Sequence, residues 1–223
     1  MRIATLAALV LLTAGCAAGT DHSSHGTSGS TPPVTSQPAV STSAQAKAAP
    51  APGAPIAEVV AWIKAGSPAA GDFHTARQDS GASTDLGEDT AFSSPSGKIT
   101  CTTYLQYYTG MSCIVALKNP PPKPADTIGN WVGGWVYYDR AEMTVGSPHG
   151  DPGPFIRGRG PELSYGNRLA FGDYSCRMDS TGLYCVDPTA KSGVRMSDAG
   201  IVPFGCFQKQ ANPRDTVGEA YAC

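Results

Sequence analysis

Six cysteines in the carboxyl-terminal part of the chain, Cys101, Cys113, Cys176, Cys185, Cys206 and Cys223, limit its folds more than any other feature. Cys101 and Cys113 lie on either side of Tyr107-Tyr108-Thr109-Gly110, and Cys176 and Cys185 on either side of Asp179-Ser180-Thr181-Gly182. A bridge within either pair would staple two strands joined by a tight turn. Six cysteines admit fifteen pairings. Local pairing (Cys101–Cys113, Cys176–Cys185, Cys206–Cys223) is expected because it makes two hairpins and ties down a terminus that would otherwise fray. In chain-entropy terms each closure contributes about 3 kcal/mol. Bridges at this density belong to an oxidising compartment.

A seventh cysteine, Cys16, leaves the count odd and follows a different kind of segment. Met1-Arg2 is a minimal basic start, Ile3 to Leu12 an apolar run, and Thr13-Ala14-Gly15 a small-residue approach to Cys16. The run falls short of the roughly 20 residues that cross a bilayer, so it reads as the core of a signal peptide. The small-small-cysteine ending resembles the lipobox of bacterial lipoproteins, with Thr13 at a position where leucine is commonest. The expectation is a signal peptide over 1–15, cleavage before Cys16, and acylation of its sulfur. Two or three acyl chains give a stable anchor where one does not.

From Ala17 to Pro55 the chain is almost entirely Ala, Gly, Ser, Thr, Pro and Gln, with Asp21 and Lys47 its only Asp, Glu, Lys or Arg residues and no aromatic residue. Such a segment cannot bury enough apolar surface to offset the entropy of ordering it. Residues 16–54 are therefore expected to be the lipidated cysteine and a disordered tether, about 35 Å in root-mean-square span. His22 and His25 beside Asp21 make no rigid metal site in such a segment. The domain proper is expected over 55–223.

That domain begins with one short helix, Pro55 to Gly66. Ile56, Val59, Val60 and Ile63 fall on one face, and Gly66 is placed to cap the end in the left-handed conformation. Beyond it, short aromatic and β-branched runs alternate with Gly, Pro, Asn and Asp. The expected strands are Thr90 to Ser93, Lys98 to Leu105, Gly110 to Ala116, Trp131 to Tyr138, Glu142 to Val145, Arg168 to Phe171, Tyr174 to Met178, Gly182 to Val186 and Arg195 to Met196. The expected fold is mainly β, an antiparallel sandwich or open barrel stapled by disulfides, with the short helix packed on it.

The segments Phe92-Ser93-Ser94-Pro95-Ser96-Gly97-Lys98-Ile99-Thr100-Cys101, Leu163-Ser164-Tyr165-Gly166, Phe171-Gly172-Asp173-Tyr174-Ser175-Cys176 and Gly182-Leu183-Tyr184-Cys185 resemble a family of actinobacterial, often mycobacterial, cell-envelope lipoproteins. The likeness runs from about Ile56 to the carboxyl terminus and includes Gly133-Gly134-Trp135-Val136 and His149-Gly150-Asp151-Pro152-Gly153-Pro154-Phe155. It implies a lipid anchor, disulfides and a β-rich domain on the outer face of the cytoplasmic membrane. The family has no established activity, so no catalytic residue is carried over.

Charge sets a further limit. With 16 Lys+Arg against 18 Asp+Glu, and charged residues only 15% of the chain, a nucleic-acid partner is not expected. The segment Gly146 to Gly166 gathers His149, Asp151, Arg157, Arg159, Glu162 and Tyr165. His149 and Asp151 could form an acid–base pair, and Arg157 and Arg159 could clamp an anion. The alternative is a long surface loop with solvated charges. A serine triad built on Ser94 or Ser96 with His149 lacks a nucleophile elbow, and no metal-ligand spacing or cofactor motif appears in the domain. Trp131, Trp135 and Tyr137 alternate on one strand face, as core or as an exposed platform, and Tyr104, Tyr107 and Tyr108 carry the same ambiguity. The expectation is a lipid-anchored envelope protein with a non-catalytic binding or structural role, its partner a wall glycan, a lipid or a protein. The alternative is an envelope hydrolase working around His149 and Asp151.

Overall fold

The computed structural model describes residues 48–211 and 216–223. The expected signal peptide, Cys16 and the tether as far as residue 47 lie outside the described residues. The chain is already held to the domain from Ala49, ahead of the boundary expected at 55. Ala49 and Ala54 pack on the helix cluster, and the Pro50 carbonyl accepts the Tyr184 hydroxyl at 3.3 Å.

The helix α1 spans Ile56–Lys64, with Pro55 as N-cap. Val59, Trp62 and Ile63 are buried, and Ile56 and Val60 partly so. Its end departs from expectation: Ala65 closes it in the right-handed conformation, and Gly66 is not left-handed. Glycine is needed at 66 for space instead. A Cβ there would come 2.9 Å from the Arg177 side chain and 3.0 Å from the Gly166 carbonyl.

Fifteen strands follow among the described residues. They are β1 (Ser67–Pro68), β2 (Thr75–Arg77), β3 (Ser83–Asp85), β4 (Ala91–Ser93), β5 (Ile99–Thr103), β6 (Met111–Val115), β7 (Asn130–Asp139) and β8 (Glu142–His149), then β9 (Asn167–Phe171), β10 (Tyr174–Asp179), β11 (Gly182–Asp187), β12 (Ser192–Ser197), β13 (Gly200–Gly205), β14 (Gln208–Lys209) and β15 (Glu219–Ala222). One sheet runs β14-β15-β8-β7-β6-β5-β4, the other β1-β9-β10-β11-β12-β13, and β2 and β3 form a separate ribbon. Of the expected alternatives the chain is a sandwich, antiparallel except where β1 meets β9.

The expected strand set was short by several. β12 is six residues instead of two, β8 continues through His149, and β13, β14 and β15 were not anticipated. Pro203 masks β13, but an edge strand tolerates a residue without an N–H.

One hydrophobic cluster joins the two inner faces. From the seven-stranded sheet come Phe92, Ile99, Cys101, Met111, Cys113, Val115, Val136, Tyr138, Met143 and Val145; from the other, Tyr174, Cys176, Met178, Leu183, Cys185, Val194 and Met196. The disulfides Cys101–Cys113 and Cys176–Cys185 both lie within it, each joining residues directly opposed in a hairpin. Cys206–Cys223 closes the third bridge. Strand β11 is buried on both faces: Leu183 and Cys185 enter this core, while Tyr184 and Val186 pack under α1. Arg177 finishes the helix contact, its guanidinium 4.0 Å over the Trp62 ring and donating to the Trp62 carbonyl at 2.7 Å.

Tyr138 is the polar post between the sheets. Its hydroxyl accepts the Asp187 N–H at 2.9 Å and meets the Ser192 hydroxyl at 2.8 Å; Ser192 in turn donates to the Arg140 carbonyl. Because the serine proton is used on that carbonyl, the tyrosine proton goes to the serine. Burial raises the Tyr138 pKa, so the phenol stays neutral. Tyr138→Phe leaves a buried N–H without its acceptor and should cost about 1–3 kcal/mol in urea denaturation. The bridges differ in access: all four cysteines of the two core disulfides are fully buried, whereas Cys206 is half-buried and Cys223 exposed. Mild reduction and alkylation should label Cys206 and Cys223 first, as read by peptide mass, leaving the other four protected.

Candidate groove on the outer face of the larger sheet

In the hairpins of the larger sheet, Cys101, Cys113 and Val136 point into the core, so Thr100, Ile114 and Trp135 point outward. The three lie in one line, because Thr100 opposes Ile114 and Ile114 opposes Trp135. Over this line passes the segment after β8. A short 3-10 helix, Gly153–Arg157, covers Trp135 and leaves Ile114 37% exposed. The result is a groove of about 600 Å³ with Thr100, Ile114 and Ala116 as floor, Pro152, Phe155, Ile156 and Arg159 as wall, and Gln78, Asp79 and Ser80 on the rim.

The segment expected as a possible solvated loop is thus a built part of the molecule. The His149 ring stacks on Trp135 at 3.4 Å between centroids, and Phe155 meets Trp135 edge-on at 5.1 Å. Asp151 accepts the Gly153 N–H at 2.7 Å and so turns the chain into the 3-10 helix. Arg157 clamps the other end. It pairs with Asp89 at 2.7 Å, donates to the Thr103 carbonyl, and lies 4.2 Å over the Tyr104 ring. Asp89 also accepts from the Thr103 hydroxyl at 2.9 Å and the Leu105 N–H at 2.8 Å. Burial opposes ionisation of Asp89, but these hydrogen bonds and the guanidinium outweigh it and hold the carboxyl below its usual range. Arg157 therefore serves the wall: both of its terminal nitrogens are engaged by Asp89, Thr102 and Thr103, and its Nε is buried without a hydrogen-bond partner.

The expected acid–base pair does not form. His149 Nε2 is buried with no hydrogen-bond partner, and among the described residues no hydrogen bond joins it to Asp151. Ser94 and Ser96 sit 3.1 Å apart and close the turn before β5, where Ser94 accepts the Ile99 N–H at 3.0 Å. They are not brought to His149. Among the described residues no group of three or more His, Cys, Asp or Glu is placed to hold a metal ion.

The tryptophan row is broken as well. The pairing of β7 with β8 shifts between Val132 and Val136, at Gly133-Gly134. A Cβ on Gly134 would lie 2.0 Å from the Val115 carbonyl, so this crossing admits only glycine. Trp135 ends 6% exposed, and Trp131 is half-buried with its indole N–H on the Pro121 carbonyl at 3.0 Å. An exposed aromatic cluster lies instead at the β5–β6 loop, where Tyr107 and Tyr108 are 64% and 44% exposed and both contact Tyr104.

Of the six residues singled out from the sequence, Trp135, His149, Asp151 and Arg157 build the wall and its support, Trp131 packs locally, and Arg159 faces the groove. Ile114, Phe155 and Ile156 were not anticipated. Ile114 was within reach, since a buried cysteine at 113 dictates that its neighbour points outward. Ile156 carried no signal, being a lone aliphatic residue in a proline-rich stretch. No family model, curated protein or solved structure matches the chain.

Burial holds the His149 pKa below 6.5, with the Asp151 charge opposing in part. The unfolded chain then takes up a proton at His149 more readily than the folded protein. That contribution is intact above 6.5 and is lost as the pH falls below it. Asp89, with its folded pKa below 3.8, acts only in a lower window, where its contribution is lost as the pH falls through that value. Urea stability should decline as the pH is lowered below 6.5, and His149→Gln should flatten that slope whatever its offset at neutral pH.

Proposed function

We propose that this chain is an exported, lipid-anchored envelope protein whose β-domain binds a hydrophobic envelope component without catalysis. The observation that carries this is the groove. Ile114 and Ile156, 37% and 65% exposed, flank an open apolar channel whose wall is held by the Asp89–Arg157 ion pair and an aromatic stack. Exposed aliphatic side chains on a braced concave surface are a binding feature in a monomer, because adjacent apolar groups gain by leaving water together. The half-buried His149, its buried Nε2 without a hydrogen-bond partner, gives a hydrolase no base oriented by a carboxylate. The lipobox-like ending at Cys16 and the tether after it support an anchor on the outer face of the cytoplasmic membrane.

A second reading, glycan binding, is favoured by Tyr107 and Tyr108, whose rings are braced against Tyr104 and present surface on which sugar rings could stack.

The test uses Nile red, an uncharged dye that brightens in apolar sites. It should bind the full-length chain carrying Cys16→Ala, and Ile114→Ser with Ile156→Ser should reduce that binding at least tenfold while the melting temperature holds. Binding unaffected by those changes but lost with Tyr107→Ala and Tyr108→Ala would move the site to the tyrosines. In cells, Cys16→Ala should shift the protein out of the membrane fraction; retention there would sink the anchor.

A further inference from the structure

Where the ribbon strand β2 ends, Arg77 meets Arg159 across an isolated antiparallel bridge. Each N–H donates to the other's carbonyl, both at 2.8 Å. Residues that exchange both backbone bonds in this way send their side chains to the same side, with Cα atoms typically about 5.5 Å apart. Two guanidinium groups thus leave the same patch of backbone side by side, an arrangement that repels.

Nothing in the described residues relieves it. Arg140 and Arg157 have carboxylate partners, Arg168 donates to the Gly66 carbonyl, and Arg177 lies on Trp62. Lys98 and Lys118 converge on Asp198. Arg77 and Arg159 have neither an ion pair nor a side-chain hydrogen bond among the described residues, although Asp79 is a neighbour in the cleft. Both line a polar cleft of about 600 Å³ together with Thr75, Gln78 and Ser83. Arg159 also belongs to the wall of the apolar groove with Ile114, Phe155 and Ile156. One guanidinium is therefore shared by a polar cleft and an apolar channel.

We infer that this composite site takes a phosphate-headed amphiphile, the phosphate on Arg77 and Arg159 and the hydrocarbon along Ile114, Phe155 and Ile156. The inference rests on the groove reading above and adds the chemistry of the head. Guanidinium forks match phosphate oxygens in pairs, and an anion placed between two like charges removes their repulsion as it binds. A neutral sugar would leave that repulsion in place. The Ser83 hydroxyl and the second amide hydrogen of Gln78, whose first is on Thr84, offer further donors around the head, while the Thr75 hydroxyl already donates to the Asp72 carbonyl at 3.2 Å.

The experiment is calorimetric titration of the full-length chain carrying Cys16→Ala, which keeps its own acyl chains out of the measurement. The probes, all used below micelle formation, are dihexanoyl phosphatidic acid, dihexanoyl phosphatidylcholine and inorganic phosphate. Phosphatidic acid should bind at least tenfold tighter than either other probe, and the preference should weaken with added salt. Arg77→Gln, which lies outside the apolar groove, should cut the phosphatidic acid preference while leaving Nile red binding intact and the melting temperature unchanged or higher, and adding Arg159→Gln should bring phosphatidic acid down to the phosphatidylcholine level. Ile156→Ser should weaken both lipids and spare inorganic phosphate. Equal affinity for the two lipids, or no effect of the arginine changes, would overturn the assignment of the head while Nile red binding keeps the groove reading. Inorganic phosphate binding as tightly as phosphatidic acid would overturn the composite site in favour of a free-phosphate site. Loss of Nile red binding with the arginines intact would point to failure of the groove itself.

Discussion

Two disulfides buried on facing sheets set the register on which the molecule depends. In each hairpin the bridge joins residues that are directly opposed, so a slip by one residue is forbidden on both sides of the core. Once Cys101, Cys113, Cys176 and Cys185 point inward, strand alternation assigns every neighbour. Leu183 goes to the core and Tyr184 to the helix; Val115 goes to the core and Ile114 to the outer surface. The short helix is marginal alone and gains a place to dock because Tyr184 and Val186 are delivered to one patch of the smaller sheet. The groove floor is a consequence of the same parity.

Polar interactions then do what apolar packing cannot, which is to fix directions. The hydroxyl of Tyr138 links the sheets through Asp187 and Ser192 at a fully buried point. The Asp89–Arg157 pair performs the corresponding task on the outer surface. It holds the 3-10 segment against the sheet edge while Thr103 and Leu105 take further hydrogen bonds from the pair. A braced wall keeps a shallow groove open when its floor carries an isoleucine that would otherwise be covered.

The contrast between satisfied and unsatisfied charge is the main functional signal. Arg157 and Arg159 are two residues apart, yet one is consumed by structure and the other faces two clefts beside a second unpaired arginine. In the linear chain both looked like equal halves of an anion clamp. Which half is available was decided by Asp89, sixty-eight residues away from Arg157.

Much of the fold was legible from local rules. Hairpins were visible because cysteines flank glycine-containing turns, and the helix because its apolar positions repeat with helical period. β13 and β15 were hidden because Pro203 and the small residues at the carboxyl terminus lack strand character, and only neighbours already in place make strands of them. The sequence by itself determined the β-class, the local disulfide pairing and the position of the helix, since each depends on contacts between residues close along the chain. The tertiary structure alone decided that Trp135 and His149 are wall, that the exposed aromatics are tyrosines, and that Arg159 faces Arg77. Those outcomes depend on a bulge at Gly133-Gly134 and on a backbone bridge between segments some eighty residues apart, and no local pattern encodes such distances.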